Sequence, residues 1–384
     1  MSTYLFGFGL VLSQFYFFRS GIPQPAHFLM VVPVIFYLAR NRSIVLIPKN
    51  EESPKLLIIF FLYTAVVNLF YAVSLQDVKF LFSLVYLLYG LTVYFVLQNI
   101  LLYRARGLSL TTYFLFFGLA LLFMMAVMGI GDYRFFPRYN AFFNDPNQMA
   151  FWALCVAAMF LAQRSVSDVV KGLVLFFLLY IILKSASRSG LVGFSVLVLG
   201  SLSAYIGNAI SATNLKKLAG VFVSITLILS LASIFIKDNI ETIIFVESRL
   251  NQVDVGAQAG VRGYARFLDY PEYIFLGAGQ GSEIRFDPKE TEIHSTWAGL
   301  LFYYGIPGLL LMLGFILKIV RRLSLSQKLI FAAPLLYSFS TLGYRTPIFW
   351  VFLSFFFCLT IFQDGRKKGL LTGAQHRVLR SDAL

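Results

Sequence analysis

The sequence predicts an all-α, polytopic integral membrane protein, and three observations carry that expectation. Of its 384 residues 59% are hydrophobic and 13% are charged. Its mean hydropathy is +0.77, and its apolar runs recur at lengths suited to the roughly 30 Å hydrocarbon core of a bilayer. Its basic residues gather in alternate loops, the asymmetry that fixes membrane orientation.

Apolar runs between polar breaks give about twelve transmembrane helices, near residues 4–18, 26–39, 56–74, 80–102, 110–130, 148–163, 170–184, 189–210, 218–236, 294–317, 328–343 and 347–362. Arg40, Arg42, Lys49 and Lys55 mark one cytoplasmic loop, Arg104 and Arg106 the next, then Arg164 and Lys171, Lys216 and Lys217, and Lys318, Arg321, Arg322 and Lys328. Both termini are therefore expected inside. Residues 1–384 read as a single membrane domain, and the one long loop, 237–293, lies on the outer, periplasmic side.

The net charge of +14 is the inside excess that orientation requires, so no nucleic-acid partner is expected. Cys155 and Cys358 fall inside apolar spans and read as packing residues, with neither a disulfide framework nor a metal site implied.

A long loop in a compact membrane protein is usually functional or structured. Within it Val261, Tyr264, Ala265 and Leu268 follow helical spacing, while Arg262, Arg266 and Asp269 fall on the opposite stripe. That pattern predicts a short amphipathic helix, stopped before Pro271 and lying along the membrane surface; a solvated helix face is the competing reading. The outer side also carries Arg134, Arg138, Lys184, Arg188, Arg249, Arg285 and Arg345. Arginine grips phosphate through a planar fork of donors, so an arginine-rich outer face points to an anionic, phosphorylated ligand.

Residues 172–183 rise only about 18 Å as a helix, which leaves the following KSASRSG stretch, with Lys184 and Arg188, below the outer surface. Ionisable groups at that depth face a protein interior or a wet cavity; a snorkelling pair at a helix end is the alternative. In FFNDPNQMAFW, Asp145 before Pro146 reads as a helix start, although Asn144 and Asn147 are placed to contact a sugar. LGAGQGS, residues 276–282, lacks the strand, helix and lysine of a nucleotide loop and reads as a tight turn near a ligand.

EIHSTWAGLLFYYGIPG sets His294 at the mouth of a span. The helix dipole disfavours protonation of its ring and the nearby Glu290 and Glu292 favour it, a balance that suits a base working near neutral pH. Trp297 follows at a spacing that lets it stack on a sugar. The competing reading of the histidine is a polar helix end.

The order SASRSG, an outer loop with an arginine-bearing helix, LGAGQGS, then IHSTW running into YYGIPGLLLML resembles the Wzy-type O-antigen polymerase and O-antigen ligase superfamily. The local similarity covers mainly residues 185–310. Where many members carry asparagine directly after the histidine, this chain has Ser295, which leaves the role of that position open. The resemblance implies glycosyl transfer from an undecaprenyl-pyrophosphate-linked glycan at the periplasmic face of the bacterial inner membrane. It needs no metal and no cofactor, and its further partners are membrane lipid and a chain-length regulator protein. On that model Arg188, Arg262 and Arg266 hold the pyrophosphate, His294 is the catalytic base, and Tyr264, Tyr270 and Trp297 are sugar platforms, unless those aromatics are simple interfacial anchors.

A polymerase extending surface polysaccharide is the expected activity. A ligase delivering the finished glycan to lipid A-core shares the donor and differs in acceptor. A lipid-linked oligosaccharide flippase is the rival from another class, but transporters commonly show internal repeats and polar midplane helices. Here the polar residues cluster at one face instead.

Overall fold

The computed structural model describes residues 2–18, 23–39, 44–49, 51–104, 106–132, 134–163, 165–210, 262–288 and 292–367, with three single positions between 244 and 248. Its long helices are α1 (Ser2–Leu12), α2 (Pro25–Ala39), α3 (Ser53–Ser74), α4 (Lys79–Tyr103), α5 (Gly107–Met128), α6 (Pro146–Leu161), α7 (Asp168–Ser185) and α8 (Arg188–Ile210). Two short helices follow, α9 (Arg266–Asp269) and α10 (Tyr273–Leu276), then α11 (Thr296–Val320), α12 (Leu325–Tyr337) and α13 (Pro347–Lys367). Among the described residues there is no strand beyond two isolated bridges in the loop after α5.

Among the described residues five helices are long and apolar enough to cross a membrane: Ser53–Ser74, Lys79–Tyr103, Gly107–Met128, Thr296–Val320 and Pro347–Asp364. The first of these has two distinct faces. Ile59, Leu62, Val66, Leu69, Phe70 and Val73 recur along one exposed stripe of α3, while Leu57, Phe60, Thr64 and Asn68 are buried on the other. By contrast α6 is buried all round, and Ala150, Ala153, Cys155, Ala157 and Ala158 let its neighbours approach closely. Asp145 starts it as expected, accepting the Asn147 amide hydrogen bond at 2.6 Å with Pro146 in the first turn. Cys155 and Cys358 are both buried and unbridged. The expected span 218–236 lies outside the described residues.

The pairing of α3 with α11 fixes the two ends of the bundle. At the lysine- and arginine-rich end Arg322 grips both carboxylate oxygens of Glu51, at 2.8 and 2.7 Å. At the opposite end Tyr63, Asn68 and Tyr71 of α3 bond the 276–280 backbone. The 262–294 residues that are described therefore sit away from the basic ends.

One expectation for that region is overturned. The amphipathic helix shrinks to the single turn Arg266–Asp269, and Arg266, expected on the polar outer stripe, is 3% exposed, while Leu268 and Asp269 are both exposed. Arg266 turns inward because a buried carboxylate, Glu283, waits there. Val261 lies outside the described residues.

The exposed Leu268 supplies a topology test. A Leu268→Cys variant is expected to react with an impermeant thiol reagent added to intact cells, while the buried native cysteines stay silent. Labelling only after the cytoplasmic membrane is broken would reverse the assigned orientation.

Candidate functional site

The site is built on the start of α11. Ser295 is its N-cap, extended and buried, with Oγ accepting the Ala298 amide hydrogen bond at 3.3 Å. Serine is among the most favoured residues at such a cap. The first helical amide, that of Thr296, donates to Ser338 and Thr341 carbonyls at 2.8 and 2.9 Å. Its hydroxyl donates to Thr341 at 2.8 Å and accepts from the Gly343 amide at 2.7 Å. The otherwise orphaned helix terminus is thus satisfied by the turn after α12. His294 stands just ahead of this cap and is exposed, its amide donating to the Arg262 carbonyl at 3.3 Å.

Two motifs singled out in the sequence interlock one turn deeper. Within α11 Gly305 leaves helical geometry at φ 62° and ψ −172°, and Pro307 has no amide hydrogen. The carbonyls of Phe302 and Tyr303 therefore lose their partners four residues on. Both are taken by LGAGQGS: Ala278 donates to Phe302 and Gly279 to Tyr303, each at 2.9 Å. Tyr63 and Tyr71 donate to the Leu276 and Gly277 carbonyls at 2.7 and 3.2 Å, and the Gln280 amide donates to Asn68 Oδ1 at 2.9 Å. Arg285 closes the turn from the other side, donating to Ala278 and Gly279 carbonyls at 2.9 and 3.2 Å while lying over Phe80 and Phe286. The turn is a structural clasp, and Arg285 is spent on it.

Glu283, in a 3₁₀ turn just beyond, is buried and takes Arg266 Nη1 at 2.5 Å and the Tyr303 hydroxyl at 3.0 Å on one oxygen. The Tyr303 hydroxyl also accepts the Ile293 amide at 3.2 Å. Burial pushes the Glu283 carboxyl up to about 7, with Glu292 adding to the rise and Arg266 and Tyr303 opposing it. Losing one partner of such a buried pair typically costs about 3–5 kcal/mol, because the other is left uncompensated. Glu292, next to Ile293, pairs with Arg345, which lies 5.0 Å over the Tyr86 ring.

Of the arginines expected to face a ligand, Arg188 and Arg262 are half-buried and Arg266 is enclosed. Arg188 starts α8 beside Arg138, whose own side chain bonds the Ser185 carbonyl and Asn147 Oδ1, both at 2.9 Å. Burial depresses the Arg138 guanidinium's affinity for its proton, and the positive charge of Arg188 adds to that, against Asp145 and Tyr337. The fields of Arg138 and Arg262 both reach Tyr337, whose hydroxyl accepts from Ser187 and donates to the Asn147 carbonyl, each at 2.9 Å. Arg138 thus feels the charge of Arg188, Tyr337 feels those of Arg138 and Arg262, and Arg262 meets His294 through the backbone.

The three aromatics differ. Trp297 donates its indole N–H to the Leu335 carbonyl at 3.0 Å and Tyr264 its hydroxyl to the Phe339 carbonyl at 3.0 Å, so both tie the 262–297 region to the end of α12. Tyr270 stands edge-on to Phe286 with centroids 5.1 Å apart. All three are half-buried. Among the described residues no cluster of three histidine, cysteine or carboxylate side chains could hold a metal ion.

No protein-family model matches this chain, and no curated protein matches it in sequence. Sequence reasoning missed Glu283, Tyr303 and Asn68 as parts of the site and picked out Arg138 only as one of the outer arginines. A carboxylate 17 residues beyond an arginine carries no local period, though a glutamate directly after LGAGQGS was a usable signal.

Proposed function

We propose that this chain is a membrane glycosyltransferase that polymerises undecaprenyl-pyrophosphate-linked oligosaccharide repeat units, working at the face opposite its basic ends, in the bacterial cytoplasmic membrane, with shorter helices completing about twelve crossings. The observation that carries the reading is the union of two candidate groups: His294 is exposed and bonded through its amide to the carbonyl of Arg262, a half-buried arginine. His294 takes the proton of the acceptor hydroxyl as that oxygen bonds the anomeric carbon. The anomeric bond to the pyrophosphate breaks, and the leaving group departs with the electron pair, held by Arg188 and Arg262. Arg266, enclosed by Glu283, supports the turn that presents Arg262.

The test is transfer by the purified, reconstituted protein supplied with lipid-linked repeat units, alone or with lipid A-core as acceptor. A ladder of lengthened lipid-linked chains is the expected product, and transfer to lipid A-core alone would reassign the chain to the ligases. In the same assay Arg262→Lys keeps the charge and loses the forked donor, with an expected fall of about a hundredfold, the effect of one lost stabilising donor. Full activity of the lysine variant at normal protein level would remove Arg262 from donor binding.

A further inference from the structure

Glu283 is where three segments of the site meet. The 262–269 turn reaches it through Arg266, α11 through the Tyr303 hydroxyl, and the residues ahead of α11 through the bond from the Ile293 amide to that same hydroxyl. Ile293 is fully buried and packs beside Gly263, and the next residue, His294, bonds back to Arg262. We propose that Glu283 is a positioning residue for His294, its carboxylate registering the arginine-bearing turn against the histidine-bearing segment; this rests on the function proposed above. Its other oxygen, Oε1, is buried and has no hydrogen-bond partner among the described residues, so the carboxylate is incompletely satisfied and takes a proton readily.

The charged and titratable groups facing Glu283 are Arg266 from α9, Tyr303 and Tyr304 from α11, Glu292 from the segment before α11 and Arg285 from its own turn. A neutral carboxylic acid accepts more weakly from Arg266 and Tyr303 than a carboxylate does. Since burial holds this group up to about 7, the clamp is formed above that pH and loosens as pH falls through it.

Hydrogen exchange of the full-length protein reads the clamp without reference to catalysis. At the Ile293 and His294 amides, exchange corrected for its intrinsic pH dependence is expected to quicken severalfold between pH values one unit above and one unit below the Glu283 midpoint. Glu283→Gln should exchange about tenfold faster at both amides and lose that pH dependence, with α3 still protected. Tyr303→Phe should match it, and the double variant should add nothing to Tyr303→Phe alone, as expected for groups acting through one chain of bonds. Unchanged exchange at Ile293 and His294 in Glu283→Gln, or flat protection across pH in the wild type, overturns the proposal. The wild-type series decides the matter by itself if Glu283→Gln does not fold. A wild-type protein inactive in glycosyl transfer would sink the proposed function and leave the exchange result standing.

Discussion

Replacing His294 by alanine is expected to lower glycosyl transfer by about a hundredfold to ten-thousandfold, the range for loss of a positioned general base. The fold gives little reason for the variant to misfold. Ser295, not His294, caps α11, and the histidine's bond to the 262 turn runs through its backbone amide, which alanine keeps. Among the described residues the imidazole takes no hydrogen bond, and the residue is exposed. Glutamine provides the second arm, since it offers hydrogen bonds of similar reach without a base that works near neutral pH. Transfer by purified protein across pH, beside a donor-binding measurement, checks both. Near-normal turnover in the alanine and glutamine variants would eliminate the base, whereas loss of donor binding in both would assign His294 to holding the ligand.

Hydropathy made the long helices legible because a single apolar segment can satisfy its own backbone in lipid only as a helix. The expected runs 56–74, 80–102 and 347–362 became Ser53–Ser74, Lys79–Tyr103 and Pro347–Lys367. The reading overshot where apolar composition outlasts the helix: 328–343 ends at Tyr337, because the Ser338 and Thr341 carbonyls turn to meet the Thr296 amide. Polarity misled it at Arg266. Helical spacing put arginine on the outer stripe, but the partner that draws it inward is Glu283, distant in sequence and visible only once α11 brings Tyr303 beside both. His294 and Arg262 were both chosen from sequence, yet nothing in their spacing foretold the bond between their backbones. The glycine motif was read as a turn near a ligand, and its binding partner is a broken helix of the same chain.

That interlock yields the second large effect: Gly277→Ala is expected to destabilise the protein by roughly 4 kcal/mol, of the kind seen when strain and lost buried bonds combine. Gly277 sits at φ 97° and ψ 154°, a region closed to residues with a side chain and costing about 1–3 kcal/mol to occupy. An added Cβ would lie 2.4 Å from the Tyr303 carbonyl oxygen and 2.6 Å from the Tyr304 Cα. Both are backbone atoms of α11, so no side chain can swing away. The turn has to withdraw, and its withdrawal strips partners from the Phe302 and Tyr303 carbonyls, which the Gly305 and Pro307 break has left with nowhere else to bond. Gly314, further along the same helix, is the control, because its added Cβ meets only Leu56 at an ordinary 3.5 Å. Alanine there should be neutral or stabilising by up to about 1 kcal/mol through helix propensity. Thermal unfolding of the two variants in one detergent separates the cases. Equal midpoints would mean that the clasp between LGAGQGS and the broken helix does not hold the two together.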